Sequence, residues 1–225
     1  MFDRVNQFLM GTYLVSRTLK HYPSVVIDPE QLTEPLETAK VFGRTAPFHL
    51  EIGSGKGTFL VNEAKRRPMI DFLGIEWARK YYRYAVDRVG RWSLTNVRLI
   101  RTEAAVFLRD YVRDQSVDCL HLYFPDPWPK QRHHKRRFVN QSNIELIFRV
   151  LKVGGELRIA TDHVDYFRHI QSVLSENSHR GQVVEFHPTA GALTGEWVGT
   201  NFERKYLKEE RSVYTIAVAK KPLTI

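Results

Sequence analysis

The chain has 225 residues, of which 43% are hydrophobic and 26% charged, and this ordinary globular usage excludes extended disorder. Its 34 Lys and Arg outnumber its 25 Asp and Glu, and the formal net charge of +9 predicts a surface that attracts polyanions such as nucleic acid or acidic lipid. No stretch approaches the roughly 20 apolar residues of a membrane span. The single cysteine, Cys119, cannot form an intramolecular disulfide, which indicates a reducing, cytoplasmic compartment.

The first forty residues lack clear strand alternation. We expect residues 1–40 to form an N-terminal arm packed on one domain of residues 41–225, with an apolar helix or arm at 8–15. Pro23, Pro29 and Pro35 favour a segment that wraps the domain and does not extend its sheet.

From residue 48 onward, apolar runs bounded by turn residues alternate with helix-like stretches, a pattern typical of βαβ units. The last two strands lack a helical crossover and are predicted to form a hairpin with a long Gly-rich excursion at 187–208. The predicted fold class is α/β, Rossmann-like: a doubly wound, mostly parallel seven-stranded sheet with a C-terminal antiparallel hairpin. The predicted strands are 48–52, 72–75, 97–100, 117–123, 156–160, 183–186 and 213–219, and the predicted helices are 57–66, 78–89, 104–111, 142–151 and 166–175.

Three alternate glycines, Gly53, Gly55 and Gly57, lie between the first of these strands and the following helix. Glycines allow tight turning and close approach of a ligand, and the helix start offers free N–H groups, so a nucleotide-like cofactor is expected across this turn. The dinucleotide fingerprint fails because position 58 is Thr, and the phosphate-binding P-loop fails because Gly57 stands where Ser or Thr is required. An amino-acid tail fits better, since Glu51 can attract its ammonium group.

Acidic side chains follow the next two predicted strands. Glu76 comes about 20 residues after the glycine loop, the spacing at which a carboxylate accepts ribose hydroxyls. The polar turn 101–105, with Glu103 and Ala104, suits an adenine edge, although Glu103 is equally compatible with a carboxylate at a helix start.

The densest functional signal is the run 124–130, Phe-Pro-Asp-Pro-Trp-Pro-Lys, after the fourth strand. Alternate prolines fix an extended backbone, and Asp126 lies at the carboxyl end of a strand, where open α/β sheets place reacting groups. The run continues into residues 130–137, which carry a cluster of Lys and Arg beside two histidines. We predict phosphate contacts for Arg132, Lys135, Arg136 and Arg137, and no metal, because His133 and His134 lack a partner at ligand spacing.

Taken together, the loop 51–57, Gly74-Ile-Glu76, the run 124–130 with its basic extension, Ala160-Thr-Asp162 and the segment 200–203 resemble bacterial tRNA (guanine-N7-)-methyltransferases, which are class I S-adenosylmethionine-dependent methyltransferases. The resemblance covers residue 48 to the C-terminus, and the Pro-rich run is its specific part. It departs from the family at residues 16–24, which match the usual basic arm poorly.

The resemblance implies S-adenosylmethionine as cofactor, tRNA as partner, and methylation at N7 of a variable-loop guanine. We further expect a monomer or homodimer that uses neither membrane nor metal. It implies Asp126 as the catalytic residue. The implied cofactor-binding residues are Glu51, Gly53, Gly55, Glu76, Glu103, Ala104 and Asp126, and the implied substrate-binding residues are Lys130, Asp162, Thr200, Asn201, Phe202 and Glu203.

Guanine N7 already presents a lone pair, so its methylation requires no proton removal from the attacking atom. Asp126 is expected to act by electrostatics and positioning, with Asp162 and Glu203 as alternative guanine readers, and Phe202 or Trp128 as a stacking platform. Two other functions stay open: a methyltransferase of the same fold acting on another RNA base or a small molecule, and a catalytically silent RNA-binding module.

Overall fold

A single eight-stranded sheet forms the centre of the computed structural model, which describes residues 18–222. The central strands Phe48–Ile52, Asp71–Ile75 and Val117–Tyr123 are buried along almost their whole length, as expected for parallel strands covered on both faces. The strands are β1 (Val26–Ile27), β2 (Phe48–Ile52), β3 (Asp71–Ile75), β4 (Val97–Ile100), β5 (Val117–Tyr123), β6 (Leu151–Thr161), β7 (Gly181–Val184) and β8 (Tyr214–Lys220).

The strand order is β1-β4-β3-β2-β5-β6-β8-β7. Strands β1 to β6 pair in parallel, whereas β8 lies antiparallel between β6 and β7. The predicted doubly wound sheet with a C-terminal antiparallel hairpin is confirmed. The strand count is corrected from seven to eight by the short strand β1.

Helices cover both faces of the sheet, and two apolar clusters fill the space beneath them. One cluster packs the helices Ala104–Tyr111, Gln141–Val150 and Val164–Glu176 against the sheet, and the other packs Thr58–Arg66 and Arg79–Arg91 against it. The helices are α1 (Thr38–Phe42), α2 (Thr58–Arg66), α3 (Arg79–Arg91), α4 (Ala104–Tyr111), α5 (Gln141–Val150), α6 (Val164–Glu176) and α7 (Asn201–Lys208), with short 3-10 helices at Pro23–Val25, Pro29–Gln31 and Gln131–Arg136.

The described part of the N-terminal segment adds to the sheet. Val26 and Ile27 pair in parallel with Leu99 and Ile100, so the expectation that this segment leaves the sheet unextended is wrong for these two residues. Pro23 and Pro29 begin the two flanking 3-10 helices, where a missing N–H costs nothing. The helix or arm predicted at 8–15 lies outside the described residues.

Helix α7 lies within the predicted excursion between β7 and β8 and was missed by sequence analysis. Thr200 is the N-cap of this helix, and its hydroxyl accepts the Glu203 N–H at 3.0 Å. A Thr followed by Glu three residues later is a common pattern at helix starts. Among residues 18–222, no helix combines the length and apolar character needed to span a bilayer.

Candidate active site

Five acidic residues are brought to one edge of the sheet because β2 to β6 are parallel and each acid lies at or just after the carboxyl end of its strand. Such an edge is where open α/β sheets bind ligands. The acids, in strand order, are Glu51, Glu76, Glu103, Asp126 and Asp162.

The glycine loop after β2 is folded tightly over this edge. Gly53, Gly55 and Gly57 all have positive φ, at 74°, 53° and 68°, a region that only glycine adopts readily. The N–H groups of Gly53 and Ser54 both donate to the Ile75 carbonyl, at 2.9 and 3.0 Å, which ties the loop to the end of β3. The predicted turn between strand and helix is therefore confirmed as a structural feature.

A cavity of about 260 Å³ lies between this loop and α7. Of the predicted cofactor residues, Glu51, Gly53 and Gly55 line it, and of the predicted substrate residues, three from the start of α7 do so. The lining residues are Glu51, Gly53, Ser54, Gly55, Lys56, Thr58, Phe59, Tyr81, Tyr123, Phe124, Thr200, Asn201, Phe202 and Lys205.

Glu51 is the most unusual wall residue of the cavity. Its side chain is only 4% exposed, and its Oε2 atom, like the Ser54 hydroxyl, has no hydrogen-bond partner within the described structure. Burial, followed by the nearby negative charges of Glu76 and Glu63, raises the pKa of Glu51 well above its usual value. A buried carboxylate without a partner is costly, and a ligand cation in the cavity would relieve that cost.

Glu76 supports the glycine loop. Its two carboxylate oxygens accept the Gly55 N–H at 2.8 Å and the Ala78 N–H at 2.7 Å. The side chain is buried beside the cavity but does not line it. Each carboxylate oxygen retains a second lone pair, so the predicted ribose contact stays a prediction that the geometry permits.

Glu103 and Ala104 lie at the start of α4 and do not line the cavity. The Glu103 carboxylate accepts the Ala105 and Val106 N–H groups at 3.0 and 2.7 Å and therefore caps the helix. Of its two predicted roles, the structure shows the helix-start carboxylate, while the adenine contact stays untested.

The Pro-rich run leaves β5 with a strained backbone. Phe124 and Trp128 have positive φ, at 51° and 44°, although neither is glycine. The Phe124 N–H donates to the Ala160 carbonyl at 2.7 Å, and its ring contacts Phe202 and Tyr206 of α7, with ring centroids 6.4 and 5.4 Å apart. Strain of this kind concentrates at functional sites, because only a surrounding structure that fixes it firmly can hold it.

Asp126 lies on the rim of the cavity and not in its wall. It is exposed, two residues beyond the lining residue Phe124. The negative charge of Asp126 also acts on α7. The pKa of Tyr206, on that helix, is raised mainly by burial and further by the charges of Asp162, Glu209 and Asp126. The rim position suits a contact with a substrate that enters the cavity from outside.

Asp162 and Glu203 are both occupied by contacts within the protein. Asp162 forms an ion pair with Arg211, which leaves its side chain 9% exposed. Glu203 is completely buried and accepts three backbone N–H groups, from Trp197 at 2.5 Å, Val198 at 3.0 Å and Gly199 at 2.8 Å. The expectation that Glu203 reads guanine is therefore corrected, because its carboxylate holds the loop before α7.

The basic run divides into exposed and buried members. Lys130, Arg132, Lys135 and Arg136 are exposed, on or beside the 3-10 helix. Arg137 is 2% exposed: it donates to the Pro127 carbonyl at 2.9 Å and pairs with Asp165 at 2.5 Å. The predicted phosphate contact of Arg137 is corrected, because its guanidinium holds the Pro-rich run in place.

A buried polar chain supports the cavity wall from behind. His49 Nδ1 is hydrogen-bonded to His121 Nε2 at 3.0 Å, and His121 Nδ1 to the Tyr123 hydroxyl at 2.8 Å. Cys119 completes a cluster whose potential ligand atoms lie within 4.8 Å of one another, which sequence spacing did not predict. Burial lowers the pKa of His49 to about 4 and raises that of the Cys119 thiol, so neither residue is charged at neutral pH.

Comparisons with known proteins agree with this geometry. The family model Methyltransf_4, described as "Putative methyltransferase", matches residues 45–216. A SAM dependent methyltransferase from Aquifex aeolicus superposes with a TM-score of 0.51 at 15% identity, over 80% of this chain and 86% of that one. An rRNA methylase from Streptococcus thermophilus gives 0.52 at 14% identity, over 79% and 88%. At such identities these structures show the fold alone.

Proteins related in sequence identify the family more specifically than these structures do. A tRNA (guanine-N(7)-)-methyltransferase of Alkalilimnicola ehrlichii is 35% identical over 89% of this chain and 84% of its own length. A protein of the same name from Streptococcus thermophilus is 31% identical over 87% and 90%. One from Nitrosomonas eutropha is 44% identical over 63% of this chain, and the match spans 63% of that protein, less than two thirds of its length.

The fold and the site together place the protein in the class of S-adenosylmethionine-dependent methyltransferases with a Rossmann-like sheet. The residues present fit that cofactor, because an unpartnered buried carboxylate faces a cavity floored by glycines. The chain belongs to the tRNA (guanine-N(7)-)-methyltransferase family.

Proposed function

We propose that the protein transfers a methyl group from S-adenosylmethionine to N7 of a guanine in tRNA, the variable-loop guanine by family resemblance. The observation that carries the proposal is the buried, unpartnered Glu51 carboxylate in a glycine-lined cavity, from whose lining residue Phe124 the chain continues into exposed Asp126 and an exposed basic run. The names of the relatives supply the substrate class.

The cofactor would be held by residues at the ends of β2, β3 and β4. Glu51 would pair with the ammonium group of the amino-acid tail, and Gly53 and Gly55 leave space for that tail, since no side chain projects from them. Glu76 would accept the ribose hydroxyls, with Glu103 and Ala104 nearest the adenine. When bound, S-adenosylmethionine supplies an electrophilic methyl group.

The chain's own residues would bind and orient guanine, because N7 needs no base to activate it. Asp126 would accept hydrogen bonds from the guanine N1–H and exocyclic amine and stabilise the positive charge that develops on the purine. Phe202 is 49% exposed at the cavity mouth, where its ring can stack on the base. Lys130, Asn201 and the Asp162–Arg211 pair complete the proposed substrate contacts, while Thr200 positions α7.

Unmodified tRNA incubated with the protein and S-adenosylmethionine is expected to yield N7-methylguanosine on nucleoside mass spectrometry. The matched control is the same tRNA with the variable-loop guanine replaced. A different methylated nucleoside would indicate another RNA base, and product from the control tRNA would contradict the variable-loop assignment. Cofactor binding without any methylated nucleoside would contradict the tRNA activity, and absence of cofactor binding would favour the silent RNA-binding module.

The substitution Asp126→Asn is expected to lower kcat on tRNA by roughly 10- to 100-fold, because an amide cannot replace a carboxylate that accepts two hydrogen bonds and offsets positive charge. Cofactor affinity should stay within about twofold, since the contacts proposed for the Asp126 carboxylate are with guanine. The control is Asp110→Asn, an exposed carboxylate on α4. Unchanged turnover in Asp126→Asn would remove the catalytic role.

Neutralising Lys130, Arg132, Lys135 and Arg136 together is expected to weaken tRNA binding and flatten its salt dependence, by about one unit of logarithmic slope per lost phosphate contact. Titrations of labelled tRNA at several salt concentrations measure this slope. By contrast, Arg137→Ala should lower the unfolding free energy, because Asp165 and the Pro127 carbonyl lose their buried partner. A wild-type affinity insensitive to salt would contradict the basic-run assignment.

The proposed setting is the cytoplasm, and the proposed assembly is a monomer or homodimer that acts without membrane or metal. The buried, uncharged Cys119 is consistent with a reducing compartment.

A further inference from the structure

The outer face of α3 and the residues just before it combine large aromatic and basic side chains that are exposed to solvent. Trp77 is 68% exposed, Tyr81 42% and Tyr84 37%. Apolar and aromatic groups of this size are seldom left exposed together unless a partner covers them. We define the α3 surface as Trp77, Arg79, Lys80, Tyr81, Arg83 and Tyr84, all of them exposed.

The exposed charged side chains that α3 itself contributes to this face are all basic. The only carboxylate in residues 77–92 is Asp87, which is buried, accepts the Lys20 N–H at 3.1 Å and pairs with Arg91 at 3.0 Å. The exposed side of α3 therefore carries cations and π faces and no exposed acid of its own. From another segment, the charge of Asp28 adds to the effect of burial in raising the pKa of Tyr82. Phosphates and stacked bases are the groups that such a combination binds.

The α3 surface begins at the mouth of the cofactor cavity. Tyr81 lines the cavity itself, and Lys56, another lining residue, lies over the Tyr84 ring with its Nζ 5.3 Å from the centroid. Helix α3 follows β3, whereas the basic run 130–136 follows β5, and these two strands flank β2 on opposite sides. The chain segments that leave the two strands beside β2 therefore lead into two basic surfaces, on opposite sides of the strand that precedes the glycine loop.

We propose that the α3 surface is a second tRNA-binding surface, which holds the phosphate backbone on the side of the cavity opposite the basic run and adds stacking contacts from Tyr84 and Trp77. The proposal rests on the proposed function for the identity of the nucleic acid. A guanine delivered into the cavity belongs to a folded polyanion wider than the cavity, so its flanking strand must pass over one or both of these rims. The basic run would bind the flanking strand on one side of the cavity, and the α3 surface would bind it on the other side.

The test is the triple substitution Arg79→Ala, Lys80→Ala and Arg83→Ala. None of these residues lines the cavity, so affinity for S-adenosylhomocysteine should be unchanged. The variant is expected to bind tRNA about 10- to 100-fold more weakly at low salt, with a logarithmic salt slope smaller by about two to three. In methylation assays KM for tRNA should rise while kcat at saturating tRNA is retained.

The matched control removes three exposed positive charges from the opposite face of the sheet, with Lys40→Ala, Arg109→Ala and Arg113→Ala. It changes net charge equally, so it should lose at most a few fold in affinity if contacts and not total charge are responsible. Equal losses in both variants would overturn the proposal. Unchanged tRNA binding in the α3 variant would also overturn it and would leave the surface to an acidic protein partner.

Direct binding keeps this test separate from the proposed function. If wild-type protein binds tRNA but forms no N7-methylguanosine, the proposed function fails while the binding comparison still decides the role of the α3 surface. If wild-type protein forms the product and the α3 variant matches it in KM and salt slope, only the α3 proposal fails.

Discussion

Glu51→Gln is expected to cost about 2–5 kcal/mol of cofactor affinity, a rise in Kd of roughly 30- to 5,000-fold. The amide keeps the shape of the side chain but removes the charge that would pair with the ammonium group at this buried position. Calorimetric titration with S-adenosylhomocysteine, which carries the same amino-acid tail, measures the loss. Ser54→Ala, in the same loop, is the control and should lose only a few fold.

The same substitution should stabilise the protein in the absence of cofactor. Burial raises the pKa of Glu51, so between the ordinary value of 4.5 and the higher folded value the folded state holds more proton than the unfolded state. Its contribution to stability is therefore fully present below the unfolded pKa and is lost as pH rises through the folded pKa. In Glu51→Gln this decline is absent, and the variant should unfold at higher denaturant concentration than wild type at pH 7–8.

The stability of Glu51→Gln must be compared with that of wild type at each pH, because other groups titrate in part of the same pH range. The pKa of His49 is lowered to about 4 by burial, so this residue makes stability fall as pH decreases from about 6.5 towards 4. That contribution is shared by wild type and Glu51→Gln and cancels in their difference. Equal cofactor affinity in the two proteins would contradict the ammonium-binding role of Glu51, whatever their stabilities.

Glu203→Ala is expected to lower the unfolding free energy by about 3–5 kcal/mol, because three backbone N–H groups would lose their acceptor. For a chain of this size the melting temperature should fall by about 6–20 °C. Thermal and denaturant unfolding measure the loss, and limited proteolysis should show earlier cleavage between residues 187 and 200. Glu209→Ala, at the exposed end of α7, should change stability by less than about 1 kcal/mol.

This prediction separates a positioning role from direct guanine recognition. If Glu203 contacted the base, Glu203→Gln would reduce kcat with stability unchanged. If it holds the loop, Glu203→Gln should lose stability and cofactor affinity together, since the Thr200 to Phe202 wall of the cavity depends on it. Wild-type stability in Glu203→Ala would contradict the buried acceptor role.

Features encoded by a few neighbouring residues were predicted well. Strands β2, β4 and β5 have the predicted bounds, and α2 to α6 begin or end within two residues of prediction, because periodicity and turn residues are local signals. The glycine loop was also predicted correctly, since a positive φ demands glycine. Glu51 lines the cavity beside this loop, and its ligand-binding role stays a prediction.

The sequence by itself determined the fold class, the glycine loop that lines the cavity and the acids at the carboxyl ends of the strands. Only the tertiary structure decided what each side chain touches. Arg137 and Glu203 have the same side-chain chemistry as exposed Arg and Glu residues nearby in the sequence. Because they are buried, Arg137 instead hydrogen-bonds the Pro-rich run, and Glu203 accepts N–H groups from the loop before α7. The cavity wall formed by α7, roughly 150 residues from the glycine loop, likewise depends on β8 inserting between β6 and β7. Such contacts are set by long-range packing, which leaves no local pattern along the chain.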